Sequence, residues 1–300
     1  MSYTRENFGE GLEKEMRLRS PITYYGGKGN LISKLLEYVP YHEYYLEVFG
    51  GSAALLFAKE MVGAEVYNDI DGELVNLFRV LRDHFDEFYR KVVLTPYARE
   101  EYQFCRETYK DCDDPVERAR RFFVALRQGF SGQAEAGWRY SFKSKKAGLF
   151  ASVSSWLSTI EMLPYIHMRL MYVQIENLHW RECMEKYNDW EWAGFFYLDP
   201  PYLPDTRRKP SAYRFEMTQK DHEELIEWLL TRSKTKVMLS GYDNDLYFEL
   251  EKAGWKKICF DVGCHAVGKT RQTGLLGENA CRVQDQRRLE CIWTNYLLDF

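Results

Sequence analysis

The tetrapeptide Asp199-Pro200-Pro201-Tyr202 is the part of the sequence whose residue types point most clearly to chemistry. It follows an apolar run, 194–198, that is typical of a buried strand. The two prolines fix an extended turn and remove two N–H donors, which leaves a carboxylate, carbonyl oxygens and an aromatic ring beside a cleft. Asp199 and the Pro200 carbonyl can each accept one N–H of an exocyclic amine on a planar base, while Tyr202 stacks on its ring. This arrangement would direct the nitrogen lone pair toward an electrophile. The alternative is that the prolines only terminate the strand.

Two further polar turns follow predicted strands. FGGSA at 49–53 permits a tight turn whose backbone can approach a ligand at a helix N-terminus. Asp69 stands about 20 residues further on, at the end of the next predicted strand, where an acid can accept both hydroxyls of a ribose. Its alternative role is to cap the helix that begins near Asp71. The two turns together indicate a nucleotide-like cofactor.

The chain around these turns alternates strands with helices on both sides of an irregular middle. This pattern predicts an α/β fold with a parallel sheet, helices on its faces and an insertion of roughly 95 residues. Since ligands bind at the carboxyl ends of the strands in such sheets, the three polar turns are expected to meet there. The predicted strands are 44–49, 64–71, the apolar run within 194–202 that ends in the DPPY turn, and 236–242, with a late pair at CFDV and LECIWTNY. The predicted helices are one after FGGSA, one from about 71 to 91, helices within 94–189, one with a capping box from Thr218 to Ser233, and one from about Asn244.

Residues 118–146 carry eight basic side chains and a single acid, Glu135, within a chain whose net charge is −4. Aromatic residues, among them Phe130, Trp138 and Tyr140, are interleaved with these bases. Bases and aromatic rings in such a segment can hold phosphates and stack on nucleobases. The alternative is a solvated helix face followed by an ordinary loop. The bases are Arg118, Arg120, Arg121, Arg127, Arg139, Lys143, Lys145 and Lys146.

Composition narrows the class of protein. The 300 residues are 45% hydrophobic and 29% charged, which excludes disorder for the chain as a whole. No apolar run approaches the roughly 20 residues of a membrane helix, and residues 1–20 lack the apolar stretch of a secretory signal, so a soluble protein is expected. The seven cysteines include no CxxC pair, which predicts unpaired thiols in a reducing, cytoplasmic compartment. Cys259, Cys264 and His265 lack the usual spacing of a zinc site, and no metal is predicted.

The order of several short motifs resembles that of the Dam-like (D12 class) N6-adenine-specific DNA methyltransferases. YYGGK at 24–28 comes first, followed by FGGSAA at 49–54, NDID at 68–71 and, after the insertion, DPPY at 199–202. The likeness covers nearly the whole chain from about Arg19. Further agreements are RFFVALRQGFSG at 121–132, which is similar to the family's lead into its target-recognition segment, and Phe215, Asp221-His222, Leu225, LSGY at 239–242 and LECIWTNY.

The resemblance implies a Rossmann-like S-adenosylmethionine-dependent methyltransferase fold with an inserted, mostly helical target-recognition region. It divides the chain into an N-terminal tail at 1–19, a catalytic domain formed by 20–93 and 190–300, and the inserted recognition region at 94–189. The family often has a second glycine where Ala53 stands and Asn where Ser131 stands.

The resemblance also assigns roles residue by residue. The S-adenosylmethionine pocket would be lined by Tyr24, Lys28, Phe49, Gly51 and Asp69, with Asp199 also near the cofactor. The flipped adenine would be held by Asp199, Pro200, Pro201 and Tyr202. Together with the basic segment, it predicts DNA contacts by Arg127, Phe130, Ser131, Arg139, Lys143 and Lys145, with Arg207, Arg208 and Lys209 as the alternative DNA surface.

The function expected from these features is site-specific transfer of a methyl group from S-adenosylmethionine to adenine N6 in double-stranded DNA. The adenine would be extruded into the DPPY pocket, because its N6 is unreachable in the stack. Two alternatives stay open: the same chemistry on cytosine N4, RNA adenine or a protein amide, and a non-catalytic DNA-binding module on a methyltransferase scaffold. Double-stranded DNA is the expected partner, and no membrane or metal is expected. The recognition sequence, the oligomeric state and a cognate restriction nuclease as a further partner are left open.

Overall fold

The structure, a computed structural model, describes residues 18–24, 26–29, 31–132, 137–141, 143–203, 214–262 and 288–297. Its contacts divide the chain into two compact units. The first unit comprises Met1–Glu37, Gly51–Met61 and Gly72–Ile175, and the second comprises Tyr38–Gly50, Val62–Asp71 and Glu176–Phe300. The boundaries of these two units differ from those of the predicted domains. The division of the chain into a catalytic domain and a recognition region therefore stays a prediction.

Helices and strands occur in both units. The helices are α1 (Ile32–Leu35), α2 (Ala54–Ala58), α3 (Gly72–Asp83), α4 (Phe85–Val93), α5 (Arg99–Thr108), α6 (Pro115–Gln128), α7 (Ala151–Leu170), α8 (Trp180–Tyr187), α9 (Gln219–Thr231) and α10 (Phe248–Lys252). The strands are β1 (Tyr44–Glu47), β2 (Ala64–Asn68), β3 (Lys145–Lys146), β4 (Leu149–Phe150), β5 (Val173–Glu176), β6 (Gly194–Leu198), β7 (Lys236–Tyr242), β8 (Lys256–Val262) and β9 (Arg288–Thr294). Short 3-10 turns span Leu36–Tyr38, Phe130–Gly132 and Asn188–Ala193.

The first unit is mainly helical, with α6 packed against α3, α4 and α5. The α6 helix begins after Asp114, whose side chain accepts the Val116 N–H at 3.0 Å, and Pro115 occupies the first helical position. Its buried face places Phe123 between the rings of Phe88 and Trp156, at centroid distances of 5.7 and 5.6 Å. This packing fixes the end of α6, from which the basic segment continues.

The second unit is built on a sheet. Six strands of the seven-stranded sheet belong to this unit, in the order β2-β1-β6-β7-β9-β8. The pairs β1 with β2, β1 with β6 and β6 with β7 are parallel, whereas β9 is antiparallel to both β7 and β8. One face packs on α8, α9 and α10 through a core that includes Phe196, Leu198, Trp228 and Trp293. The prediction of an α/β fold with a mostly parallel central sheet is therefore confirmed.

Most predicted elements are present, and some bounds differ. Strands β1, β2, β6 and β7 and the capped helix α9 lie where they were expected, and the late strands β8 and β9 pair with each other. The last predicted helix begins at Phe248 rather than near Asn244. The reason is that the Asn244 side chain accepts the Tyr247 N–H and donates to the Tyr242 carbonyl, which stabilises a turn instead. Strand β5 and the β3–β4 hairpin were not predicted.

The prediction of unpaired cysteines is wrong for one pair, because a disulfide joins Cys259 and Cys291. The antiparallel register of β8 and β9 places these two residues directly opposite each other, with 4.0 Å between their Cα atoms. Cys105, Cys112 and Cys183 are free. Cys264 and His265, which were considered with Cys259 as metal ligands, lie outside the described residues.

None of the described helices has both the length and the apolar character needed to cross a bilayer.

Candidate active site and nucleic-acid interface

The register of the parallel strands aligns three polar turns of the second unit. Glu47 of β1 pairs with Tyr67 of β2 and with Tyr197 of β6. Two residues beyond each member of this row stand Phe49, Asp69 and Asp199. The strands are parallel, so these residues emerge from the same edge of the sheet. Within this unit, the structure brings together three of the residues that the sequence singled out.

The turn after β1 requires glycine at its first position. A Cβ at Gly50 would overlap the ring of Tyr67 on the neighbouring strand. The backbone also ties the two strand ends together, because the Gly50 N–H donates to the Asn68 carbonyl at 2.8 Å and the Asn68 side chain donates to the Val48 carbonyl at 2.8 Å. The turn therefore lies close against β2 and leaves Phe49 at the sheet edge.

Asp69 is buried at the end of β2 and uses one oxygen within its own turn. Its Oδ1 accepts the Asp71 N–H at 2.7 Å, immediately before α3 begins at Gly72. The Asp69 carbonyl accepts a hydrogen bond from the Asn177 side chain, also at 2.7 Å. This hydrogen bond is consistent with the alternative role of Asp69, which is to stabilise the start of the following helix.

His222, which is fully buried on α9, forms a hydrogen bond with the backbone of the DPPY turn. His222 Nε2 lies 3.0 Å from the Pro201 carbonyl oxygen and Nδ1 lies 2.8 Å from the Tyr247 hydroxyl. A carbonyl oxygen can only accept, so Nε2 is the donor, and the Tyr247 hydroxyl can donate to Nδ1. This chain of hydrogen bonds fixes the orientation of the Pro201 carbonyl.

Tyr202 is held at both its hydroxyl and its ring. Its hydroxyl donates to Glu290 Oε2 at 2.7 Å, and its ring makes an edge-on contact with Tyr242 at a centroid distance of 4.5 Å. Glu290 and Tyr242 are themselves partners in the β7–β9 register. The aromatic end of the DPPY turn is thereby attached to the central sheet.

Together with burial, the charge of Asp199 contributes to the raised pKa of two tyrosine hydroxyls, those of Tyr197 and Tyr247. Burial raises the pKa of the Tyr197 hydroxyl well above its ordinary value, and the negative charge of Asp199 adds to the increase. The pKa of Tyr247 is raised by burial and, to a smaller extent, by Asp199 as well. Both hydroxyls therefore keep their protons at neutral pH and act as hydrogen-bond donors and acceptors rather than as bases.

In the first unit, Tyr24 and Gly51 lie close together. The Tyr24 carbonyl accepts the Gly27 N–H at 3.0 Å, and a Cβ at Gly51 would lie 3.6 Å from the Tyr24 ring. Gly51 has a φ of +50°, and Ala53 also adopts the left-handed region, with φ 55° and ψ 35°. This is the position where the family often has glycine, and alanine adopts the glycine-like backbone there at a cost of about 1–2 kcal/mol. Ala53 therefore adopts a backbone conformation that glycine adopts without this cost.

Lys28 is also buried in the first unit, and its carbonyl accepts the N–H groups of Leu31 and Ile32 at 2.7 and 3.0 Å. The YYGGK motif therefore leads directly into α1.

Three arginines of the basic segment form ion pairs with acids of the protein. On α6, Arg118 pairs with Glu73, Arg120 with Glu101 at 2.7 Å, and Arg121 with Glu117 at 3.0 Å. Burial would raise the pKa of the Glu117 carboxyl, but hydrogen bonds from Arg120 and Arg121 outweigh it and lower the pKa to about 2. These three arginines of α6 therefore bond to acids of the protein, a role that neither the DNA-binding interpretation nor the solvated-face alternative predicted.

Arg127 and Arg139 differ from the helix arginines, because no acid bonds to either of them among the described residues. Arg127 donates to the Thr23 hydroxyl at 3.2 Å, to both oxygens of Ser155 at 3.2 Å and to the Thr159 hydroxyl. Arg139 donates to the Arg127 carbonyl at 3.3 Å. Burial and the nearby charge of Arg139 lower the pKa of Arg127 to about 10. In the described part of the chain, the buried Nε atoms of both arginines lack hydrogen-bond partners.

The segment after Arg127 exposes aromatic and basic side chains. Phe130 and Tyr140 are 62% and 56% exposed. Lys145 and Lys146 form the exposed strand β3, which pairs with β4 through a turn at Ala147 and Gly148 with positive φ at both residues. Lys143 is exposed as well, and within the described ranges these three lysines have no ion pair. They can therefore contact an external anion.

Ser131 lies in the 3-10 turn Phe130–Gly132, which passes close to Thr23, because a Cβ at Gly132 would overlap the Thr23 carbonyl. The alternative DNA surface of Arg207, Arg208 and Lys209 lies outside the described residues.

Sequence reasoning did not assign a role to His222, Tyr247, Tyr242 or Glu290. Three of them lie in segments that supported the family resemblance: Asp221-His222, LSGY and LECIWTNY. Their agreement with the family was the available signal, but their contacts with the DPPY turn depend on the sheet register.

The sequence is similar to those of known proteins. Residues 24–259 match the family model described as D12 class N6 adenine-specific DNA methyltransferase. The chain is 24% identical over 262 residues to a DNA adenine methylase of Salmonella typhi, which covers 80% of this chain and 87% of that relative. It is also 24% identical over 307 residues to the type II methyltransferase M1.LlaDCHI of Lactococcus lactis subsp. cremoris, which covers 95% of this chain and 98% of that relative.

Proposed function

Because the chain belongs to the D12 class N6 adenine-specific DNA methyltransferases, we propose that this adenine-specific DNA methyltransferase takes its methyl group from S-adenosylmethionine and acts on an adenine flipped out of the duplex. The observation that carries the proposal is the row formed by Phe49, Asp69 and Asp199, one after each of three adjacent parallel strands. This is the edge at which ligands bind in open α/β sheets. The row supports a Rossmann-like methyltransferase fold. We further propose that 94–189 is the inserted recognition region and that the protein acts in the cytoplasm, where DNA is reached.

The residues at the sheet edge fit S-adenosylmethionine. The turn at Gly50 and Gly51 carries no side chain, and a buried carboxylate, Asp69, stands at the end of the next strand. Asp69 would accept the ribose hydroxyls of the cofactor. When bound, the cofactor supplies an electrophilic methyl group on its sulfonium. Tyr24, Lys28, Phe49, Gly51, Asp69 and Asp199 are the residues that we propose to bind it.

The DPPY turn would hold the adenine and prepare its amine. Asp199 and the Pro200 carbonyl each accept one N6–H, which directs the nitrogen lone pair toward the methyl group. Tyr202 stacks on the ring. No side-chain nucleophile would be needed. The N6 nitrogen would take the methyl group as the carbon–sulfur bond breaks and the thioether leaves, and the N6 proton, which is acidic after the transfer, would pass to Asp199 or to water. The buried support from His222 keeps the Pro201 carbonyl in place while this occurs.

We propose that the basic segment of the first unit binds double-stranded DNA. The exposed lysines Lys143 and Lys145 are suited to phosphate contacts because they have no acid partner in the described part of the chain. Arg127 and Arg139 offer buried guanidinium donors without acid partners among the described residues. Phe130, which is largely exposed, and the adjoining Ser131 complete the proposed DNA contacts.

The direct test is to incubate the protein with duplex DNA of random sequence and S-adenosylmethionine carrying an isotope-labelled methyl group. Nucleoside mass spectrometry then identifies the modified base, and modification-aware sequencing reports the recognition sequence. We expect labelled N6-methyladenine within a short common sequence. Labelled N4-methylcytosine would favour the alternative acceptor, and binding of DNA and cofactor without any product would favour a non-catalytic module.

A further inference from the structure

We propose that Glu290 is a positioning residue for methyl transfer and that it acts through the hydroxyl of Tyr202. The inference rests on the proposed function, because it assigns to β9 the task of holding the aromatic ring on which the flipped adenine stacks. Glu290 is distant in sequence from the DPPY turn, being 88 positions from Tyr202.

The geometry that carries the proposal is a short hydrogen bond between a phenol and a carboxylate. Tyr202 Oη donates to Glu290 Oε2 at 2.7 Å, and Tyr202 as a whole is only 4% exposed. Hydrogen bonds with an ionised partner are shorter and about twice as strong as those between neutral groups. The hydroxyl lies at the far end of the ring from the backbone, so this contact fixes the side chain at the point where it would otherwise move most.

A second contact restrains the plane of the same ring. Tyr242 meets Tyr202 edge-on, with an interplanar angle of 70°. Glu290 stands opposite Tyr242 in the β7–β9 register and opposite Phe260 in the β8–β9 register. The carboxylate is therefore presented by a strand with neighbours on both sides, rather than by a loop, and its position is as well defined as that of the sheet.

Loss of the hydrogen bond between Glu290 and Tyr202 should lower the rate of methyl transfer more than it weakens substrate binding. Stacking on a base depends on the plane of the ring, and methyl transfer depends on the direction of the N6 lone pair. A displacement of about 1 Å in such a site can lower the rate by about a hundredfold. A Tyr202 released from Glu290 still offers an aromatic surface, so the adenine still binds, but in orientations that do not react.

The test is a double-mutant cycle on Glu290 and Tyr202, with kcat for DNA methylation and cofactor affinity measured for each variant. We expect Glu290→Ala and Tyr202→Phe each to lower kcat about tenfold or more, while the S-adenosylmethionine dissociation constant changes less than twofold. The double variant should be no slower than the slower single variant by more than about twofold. Glu290→Gln keeps an acceptor oxygen and should recover most of the rate lost in Glu290→Ala.

The chain offers a matched control, because the Tyr187 hydroxyl donates to Glu176 Oε1 at the same distance, 2.7 Å. Tyr187→Phe removes a hydrogen bond of the same length outside the DPPY turn, to a carboxylate that also pairs with Lys186, and should lower thermal stability without lowering kcat. Effects of Glu290 and Tyr202 that multiply in the double variant, or a Glu290→Ala enzyme with wild-type kcat, would overturn the positioning role alone. A wild-type enzyme that makes no methylated adenine would overturn the proposed function, and the positioning role with it.

Discussion

His222 donates a hydrogen bond to the carbonyl oxygen of Pro201, with 3.0 Å between Nε2 and the oxygen. The histidine is fully buried, and its other ring nitrogen lies 2.8 Å from the Tyr247 hydroxyl. The backbone of the DPPY turn is thus attached to α9 through a fully buried side chain, and this attachment can be tested separately from the chemistry.

We expect His222→Ala to lower the free energy of unfolding by about 2–4 kcal/mol, since it leaves two buried polar groups without their partner and creates a cavity. Tyr247→Phe removes only the outer hydrogen bond and should cost about 1 kcal/mol. Urea unfolding followed by circular dichroism measures both. Equal urea midpoints for His222→Ala and wild type would mean that the hydrogen bond to Pro201 contributes nothing to the fold.

Asp69 has two roles that paired substitutions can separate. Asp69→Asn keeps an oxygen for the Asp71 N–H but loses the charge, whereas Asp69→Ala loses both. If Asp69 binds the cofactor ribose, both variants should weaken S-adenosylmethionine binding by roughly tenfold or more. Isothermal titration calorimetry gives the dissociation constants, and thermal unfolding reports on the turn. An Asn variant that binds the cofactor as well as wild type does would leave Asp69 with only its role in the turn.

The sequence predicted the sheet edge well, because the features that define it are local. Strand β6 is a run of apolar residues stopped by Asp199 and two prolines, and β1 is stopped by Gly50 and Gly51. Strand β5 has only Val173 and Ile175 as apolar residues, and this alternation is too short to indicate a strand.

The contacts that sequence reasoning missed join residues far apart in the chain. The hydrogen bonds join residues that are 45 positions apart for Arg118 and Glu73, 21 for His222 and Pro201, and 88 for Tyr202 and Glu290. The Cys259–Cys291 disulfide likewise depends on the register of two strands separated by 25 intervening residues, 263–287. Each of these contacts is determined by tertiary structure, so composition and spacing alone do not reveal it.

The lysines of the basic segment should determine the salt dependence of DNA binding. Replacing both Lys143 and Lys145 with Ala should flatten the slope of log affinity against log salt concentration by about 2 units, since each lost phosphate contact contributes about 0.9. Fluorescence anisotropy over a range of salt concentrations measures the slope. A double variant of Lys220 and Lys252, exposed lysines that pair with Glu224 and Glu249, serves as the control and should keep the wild-type slope. An unchanged slope for the Lys143 and Lys145 variant would move the DNA surface elsewhere.

Arg139 distinguishes phosphate contact from base recognition. If its guanidinium contacts a phosphate, Arg139→Ala should reduce the salt slope by about 1 unit and weaken binding equally for all sequences. If it pairs with a guanine edge, the variant should methylate a wider set of sequences with little change in slope. Sequencing of a methylated random pool, combined with the salt titration, separates the two. A variant that matches wild type in both measurements would remove Arg139 from the interface.

The central claim is that the Asp199 carboxylate prepares the adenine amine for attack on the methyl group. The most direct measurement compares wild type with Asp199→Ala in single-turnover methylation of DNA, with N6-methyladenine quantified by mass spectrometry and DNA affinity measured in parallel. We predict that the variant forms no detectable product while its affinity for DNA stays within about twofold of wild type, because most affinity comes from phosphate contacts. An Asp199→Ala enzyme that keeps a tenth or more of the wild-type rate, a loss of only about 1.4 kcal/mol or less in transition-state stabilisation, would contradict the account.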